Sequence, residues 1–243
     1  MAEWSISVII PYFNAGQFIE EALKSIRRQN YPFLEIILID DGSSDNIGER
    51  VKTLGKDIIF LRQNNKGPAA ARNFGIKQAK GDIIAFLDAD DEWPDDKLAL
   101  QLARLRSDSS LKIVTGRIKY IRLKGAKNMP IHHGEENGLL NVNLGALLVH
   151  KEVFDKVGLF DESLRFAEDL DWFFRVRESG IKIAIMKEIN LLYQQHSSNM
   201  TRENNHYDLT FFSALKRSIN RRQLMNQGKA LNLVPLSEFD DAK

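Results

Sequence analysis

The sequence predicts an α/β fold: a mostly parallel sheet flanked by helices, with a C-terminal helical extension. Three observations carry that expectation. Short apolar, β-branched runs alternate with stretches of helical spacing through the first 105 residues. The runs end in Gly, Asn, Asp or Pro, which are turn residues. The chain has 243 residues, 43% hydrophobic and 28% charged, enough for one large domain with a buried core.

The elements follow in order. SISVIIP, residues 5–11, is nearly all apolar, as a strand covered on both faces requires. Asn14, Ala15 and Gly16 turn the chain, and Phe18, Ala22, Leu23 and Ile26 then recur at helical spacing. LEIILID, residues 34–40, is a second buried strand, and DGSSD, residues 41–45, leads into another helix. Residues 57–61 form a third strand. Gly67-Pro68 opens a helix, with proline suited to its first turn, and Gly81 closes it. DIIAFLD, residues 82–88, is the fourth strand, and residues 94–105 are helical.

Beyond this point the pattern loosens. Residues 112–123 read as a strand, 124–138 as a loop, 144–150 as a strand and 151–157 as a short helix. A helix over 165–179 contains EDLDW; strands follow near 182–186 and 191–195, and 202–227 forms a terminal helix. The expected division is a domain over 1–200 and a helical extension over 201–243 packed on it. Right-handed crossovers between the first four strands make their sheet parallel.

Composition excludes several classes. The net charge of +1 offers no bulk attraction to nucleic acid. The absence of cysteine excludes disulfides, thiolate metal sites and a thiol nucleophile. The N-terminal apolar run is too short for a membrane span and lacks the basic start of a signal peptide, so the expectation is a cytoplasmic protein. The terminal stretch sets Lys216, Arg217, Arg221, Arg222 and Lys229 beside Phe211, Phe212, Leu215, Ile219 and Leu224. It admits a helix packed on the domain with its basic face in water, or one lying on the inner face of an anionic membrane.

AFLDADDEWPDD, residues 85–96, is a buried strand that ends in Asp88, Asp90, Asp91, Glu92, Asp95 and Asp96. In parallel α/β sheets ligands bind beyond the carboxyl ends of strands. Residues 11–14, Asp40-Asp41 and residues 88–91 should therefore share one rim. Asp88-Ala89-Asp90 suits Mg2+ or Mn2+, which take one or two carboxylates beside phosphate oxygens. The same tripeptide elsewhere is a solvated turn. No G-x-G-x-x-G follows the first strand and no G-x-x-x-x-G-K-[ST] occurs. An EF-hand starting at Asp88 would put Trp93 where it needs glycine.

SVIIPYFN, LIDDGSSD, KGPAAARNFGIKQAKGDIIAFLDADD and EDLDW occur in this order, and together they resemble the inverting family 2 glycosyltransferases of GT-A (Rossmann-like) fold over residues 5–200. The resemblance implies a metal-dependent enzyme. It would move a sugar from a nucleotide-diphosphate sugar, a UDP-sugar foremost, to a hydroxyl of a glycan, a lipid-linked sugar or a polysaccharide precursor. Pro11, Tyr12 and Asn14 would bind the nucleotide, the first two along the base. Asp41 would accept from the base with Asp40 supporting its loop, although this Asp pair alone reads as a turn leading into a helix. Arg72 would approach the nucleotide; alone it reads as a solvated helix arginine. Asp88 would touch ribose or metal, and Asp90 would be the principal ligand of Mn2+ or Mg2+.

Asp169 would be the general base and Glu168 an acceptor-site residue, with Asp171 the alternative base. Acids in a first helical turn are also favoured by the helix dipole without any catalytic role. Trp172 reads either as a sugar-stacking ring or as core. His196, in QQHSSNMT, would reach the diphosphate or the metal, although Gln194 stands where the family has arginine, and a lone histidine is otherwise surface or core. Glu92, Asp95 and Asp96 read as solvated or helix N-terminal acids. His132, His133, His150 and His206 match no motif, and the 124–138 loop is expected to help set acceptor choice. Two rival readings remain. A nucleotidyltransferase of related fold needs a Gly-rich basic loop that PYFNAGQF lacks. A non-catalytic nucleotide-sugar binder would be expected to lose a metal or base acid.

Overall fold

The computed structural model describes residues 3–123, 126, 138–139, 142–164, 166–197, 199 and 207–225. Four strands, β1 (Ile6–Tyr12), β2 (Leu34–Asp40), β3 (Ile58–Arg62) and β4 (Ile83–Phe86), run parallel. They are joined through α1 (Ile19–Arg27), α2 (Ile47–Leu54) and α3 (Pro68–Gln78). Both sheet faces are covered. Val8 and Ile10 pack with Leu23 and Ile26 on one side, and Ile9 packs with Ala71 and Ile76 on the other. This explains why β1 is apolar at successive positions rather than at alternate ones. α3 lies unusually deep, because a Cβ at Gly75 would come within 2.5 Å of Ile9 Cγ2.

The rest comprises α4 (Lys97–Ser107), β5 (Ile113–Arg122), β6 (Leu148–His150), α5 (Glu152–Val157), α6 (Glu168–Glu178), β7 (Ile183–Gln195) and α7 (Tyr207–Met225). The sheet order is β3-β2-β1-β4-β6-β5-β7. β6 is antiparallel to β4 and β5, whereas β5 and β7 are parallel. The carboxyl end of β7 therefore returns to the rim formed by the ends of β1 and β4. The strand order also reverses between β1 and β4, which marks the topological switch point where such sheets bind ligands.

Several elements depart from the sequence expectation. Residues 144–150 are not one strand: Leu144–Ala146 form a 3₁₀ turn, with Asn143 Oδ1 accepting from Gly145 N, and β6 starts at Leu148. The two strands expected near 182–186 and 191–195 are one strand, β7. Register shifts between Thr115 and Ile118 absorb its polar middle, and Gly116 leaves room for the buried Asn190. Helix α4 begins at Lys97 rather than at Pro94, and that lysine is fully buried, its ammonium on Gln101 Oε1 at 2.7 Å and over the Trp93 ring. Burial depresses its pKa well below the ordinary lysine value.

Helix α7 packs on α6 through Ala214 and Ser218. Lys216 and Arg217 lie on an exposed face, but Arg221 does not join it. Arg221 donates to Asp171 and Glu178, and Arg217 to Asp161. For Arg221 the cause lies in α6, where the side chains of Asp171 and Glu178 are 3% and 2% exposed and need cations. Phe212 and Ile219 are left exposed instead. Among the described residues no helix is long and apolar enough to cross a membrane. His132, His133, Arg165, His206 and Lys229, and nearly all of the 124–138 loop, lie outside the described residues.

Candidate active site

The ends of β1 and β2 form one part of the rim. Asp40 is fully buried; its Oδ1 accepts from Ser43 N at 2.8 Å, and Arg62 approaches the other oxygen at 3.3 Å. Asp41 accepts three hydrogen bonds, from Gln63 Nε2 at 2.8 Å, Lys66 N at 2.9 Å and Gly67 N at 2.8 Å. It thereby fixes the turn that starts α3. Tyr12 points into the core with its hydroxyl donating to Asp45, and burial followed by that carboxylate raises its pKa far above the ordinary phenol value. Pro11 is half-buried beside it. Asn14 is exposed, with Oδ1 accepting from Ser44 N at 2.9 Å. Phe13, which the sequence reading passed over, is 53% exposed between them. Strand alternation was the available signal: with Tyr12 facing the core, its neighbour faces out.

Of the acids after β4, Asp88, Asp90, Asp91, Glu92 and Asp95 have side-chain partners. Asp88 Oδ1 accepts from Arg72 Nη2 at 2.7 Å. Asp90 Oδ2 lies 2.9 Å from His196 Nε2, and the His196 ring stacks on Phe18 with centroids 4.2 Å apart. Asp91 is buried and accepts from Gln194 N at 2.9 Å; burial, then the charges of Asp90 and Asp88, push its carboxyl well above the usual range. Glu92 is not simply solvated. It accepts from Gln194 Nε2 at 2.6 Å and pairs its backbone with Leu192. Gln194 is thus a strut between β7 and the acidic loop. Asp95 is largely exposed and pairs with Arg28, while Asp96 precedes α4 without a side-chain cap bond.

The other part of the site is the head of α6. Glu168 is buried, and its Oε1 accepts from Arg72 Nη1 at 2.7 Å. Arg72 is 7% exposed and spans Asp88 and Glu168 with its two terminal nitrogens. Burial works against its charge, but the two carboxylates outweigh it and raise its pKa. Asp169 is partly exposed and accepts from Leu170 N at 2.7 Å. Burial and then the Glu168 charge push its carboxyl up to about 6, against the lowering pull of Arg72 and the Leu170 amide. Asp171 turns the other way, held by Arg175 at 3.0 Å and Arg221 at 2.8 Å. Trp172 is core, stacked on Phe154 at 4.9 Å.

Among the described residues no group of three or more His, Asp or Glu converges as a metal cage. Asp90 and His196 do converge. Their 2.9 Å spacing suits a direct hydrogen bond, and also two adjacent ligands of an octahedral cation bound at about 2.1 Å. Two protein donors fit a cation that draws its other ligands from phosphate oxygens and water.

The family model described as Glycosyl transferase family 2 matches residues 7–224. An uncharacterized glycosyltransferase of Rickettsia conorii is 33% identical over 218 residues, which is 84% of this chain and 35% of that protein. Bacillus subtilis EpsJ, also an uncharacterized glycosyltransferase, is 29% identical over 217 residues, 81% of this chain and 62% of EpsJ. TuaG of the same species, a glycosyltransferase named for teichuronic acid biosynthesis, is 36% identical over 123 residues, 48% of each chain. The chain therefore spans less than two thirds of the length of these relatives. Staphylococcus aureus TarS 1–349 in complex with UDP-GlcNAc superposes with a TM-score of 0.72 at 19% identity, over 90% of this chain and 66% of that one. The mannosyltransferase PcManGT of Pyrobaculum calidifontis, in complex with GDP-Man and Mn2+, gives a TM-score of 0.63 at 22% identity, over 95% and 67%. At these identities the two structures show a shared fold, the GT-A fold.

Proposed function

The chain belongs to glycosyl transferase family 2, and on that premise we propose that it moves a sugar from a nucleotide-diphosphate sugar to an acceptor hydroxyl, with inversion and with a divalent cation. One observation carries the reading furthest. Two acidic clusters distant in sequence, Asp88 after β4 and Glu168-Asp169 at the head of α6, stand on either side of the single guanidinium of Arg72.

In this reading the nucleoside lies over the ends of β1 and β2, flanked by Pro11, Asn14 and the open face of Phe13. Tyr12 supports that end from inside through Asp45. A carboxylate has about four acceptor positions. Asp41 uses three of them, and the fourth serves an N–H of the base. The second oxygen of Asp88 serves a ribose hydroxyl or the cation. Asp90 and His196 would hold Mn2+ or Mg2+. Bound there, the cation supplies Lewis-acid neutralisation of the charge on the departing nucleoside diphosphate.

Asp169 takes the proton of the acceptor hydroxyl while that oxygen bonds to the anomeric carbon. The bond from this carbon to the diphosphate oxygen breaks on the opposite face, and its electron pair leaves with the nucleoside diphosphate. A carboxyl near pKa 6 is ionised at neutral pH, yet more basic than an ordinary aspartate. A base so tuned is worth ~10²–10⁴-fold. Glu168, held by Arg72, borders the acceptor.

UDP-sugars are the first donors to test, since TarS was solved with UDP-GlcNAc, with GDP-sugars next after the GDP-Man complex of PcManGT. A glycan, lipid-linked sugar or polysaccharide precursor as acceptor accords with the name of TuaG. A cytoplasmic enzyme working at the inner membrane face would present the exposed Phe212 and Ile219 of α7, with Lys216 beside them. The test is a thermal-shift panel of UDP, GDP, dTDP and CDP sugars with and without MnCl2, followed by nucleotide-release assays against glycan acceptors. Donor binding without nucleotide release would leave a non-catalytic binder.

A further inference from the structure

Arg72 and Asn73 are consecutive on α3, and both reach out of that helix to the segment that carries Asp169. Arg72 holds Glu168, the residue before it. Asn73 grips the backbone of Phe160 twice. Its Nδ2 donates to Phe160 O at 2.9 Å, and its Oδ1 accepts from Phe160 N at 2.9 Å. The same Nδ2 donates to Glu162 Oε1 at 2.9 Å.

Helix α6 holds this segment from the other side. Trp172 Nε1 donates to Gly158 O at 3.1 Å, and Arg175 donates to Val157 O and Leu159 O, each at 2.7 Å. Residues 157–162 are thus pinned between α3 and α6. The contact of Gly75 with Ile9 seats α3 in turn on β1.

Two further facts show that the arrangement is held from outside α6. Ala167 precedes α6 in the left-handed region, at φ +60°, a conformation costing ~1–2 kcal/mol for a residue with a Cβ. Its own preferences do not set where α6 begins. Asn73 is 2% exposed, and a buried amide is costly unless its bonds are met, which here they are.

We propose that Arg72 and Asn73 form a positioning clasp, which fixes the first turn of α6, and with it Asp169, relative to the donor rim. Arg72 joins the two directly through Glu168 and Asp88, and so serves the reaction through its neighbours instead of touching the donor. The clasp rests on Asp169 being the base.

Two measurements on the full chain test it. In hydrogen exchange, Asn73→Ala should speed the amides of Leu170 and Asp171 by at least ~10-fold while leaving β1 and β2 amides at native rates. This arm needs no turnover, and unchanged exchange at α6 overturns the clasp. In release of UDP from UDP-GlcNAc, Asn73→Ala and Arg72→Gln should each lower kcat at least ~10-fold, as small misplacements of a reacting group do. Their affinity for UDP with MnCl2 should stay within about 3-fold of native, and Arg72→Lys, which keeps the charge but loses the fork, should fall between. Placed on an Asp169→Asn background, both substitutions should cost nothing more, because they act through the residue already removed. Additive losses, or UDP affinity falling in step with kcat, overturn the clasp and leave the base in place. Near-native turnover in Asp169→Asn alone overturns both.

Discussion

The donor rim and the head of α6 hold their carboxylates by different contacts. At the rim, Asp41 receives two backbone amides and a side-chain amide, Asp88 a guanidinium, and Asp90 an imidazole. Each of these contacts fixes the direction in which a carboxylate oxygen points. At the head of α6, Glu168 takes the arginine nitrogen, and Asp169 next to it accepts from the Leu170 amide. Burial and the charge of Glu168 then raise Asp169 to about 6. Under the proposed mechanism the first region binds the donor and the second receives the acceptor proton. The same Arg72 serves both, because it is shared between Asp88 and Glu168 and only acts on Asp169 from a distance.

The sharpest way to break that contrast is to neutralise one carboxylate in each region. Asp169→Asn keeps size and most hydrogen bonding but cannot take a proton. Its turnover should fall by ~10² or more, with UDP affinity nearly native, when nucleotide release and calorimetry are read together. Asp171→Asn should instead lower the melting temperature, since Asp171 holds Arg175 and Arg221. A collapse of turnover in Asp171→Asn at native stability would move the base there. At the rim the pattern reverses. Asp90→Asn and His196→Ala should each remove at least ~10-fold of the manganese-dependent gain in UDP affinity. Unchanged manganese dependence in calorimetry would take the cation away from this pair. Asp41→Ala should weaken UDP, UDP-glucose and UDP-GlcNAc alike by roughly 10-fold, in line with a charged hydrogen bond plus the loosened turn before α3. An effect that depended on the sugar would place Asp41 beyond the nucleotide.

The smallest effect follows from linkage. The folded pKa of Asp169, about 6, lies above its ordinary value of 3.8. The folded state therefore holds this proton through a window in which the unfolded chain has released it. Its cost to stability is absent below about 4, grows through that window and is complete above about 6. Asp169→Asn should accordingly raise the melting temperature at pH 7.5 and leave it little changed at pH 4. A uniform shift at both pH values would mean that desolvation of Asp169 is not the cause.

Much of the donor region was legible in the sequence. β1, β2 and β4 are buried on both faces, so their apolar runs stand out, and their ends name the rim without tertiary information. The second region was harder. Polar Lys187, Glu188 and Asn190 looked like a break, yet β7 runs through them because Gly116 on β5 accommodates Asn190. Residues 144–150 are apolar enough for a strand, but half of them turn, and their burial comes from packing that periodicity does not report. The inward turn of Arg221 depended on Asp171 and Glu178 of α6, distant in the chain. The pairing of His196 with Asp90 required β7 to run parallel to β5, which no local pattern encodes. The buried bonds of Asn73 left no mark in the sequence at all.

The pH dependence of kcat/KM, measured for the native chain and for Asp169→Asn with the same donor and acceptor, tests the base most directly. The native enzyme should gain activity as pH rises through about 6 and level off above it, because only the ionised carboxylate can take the acceptor proton. In Asp169→Asn that limb should vanish, leaving a low and nearly flat profile. A native profile already flat across this range, or a limb that survives in Asp169→Asn, would contradict the assignment of Asp169 as the base.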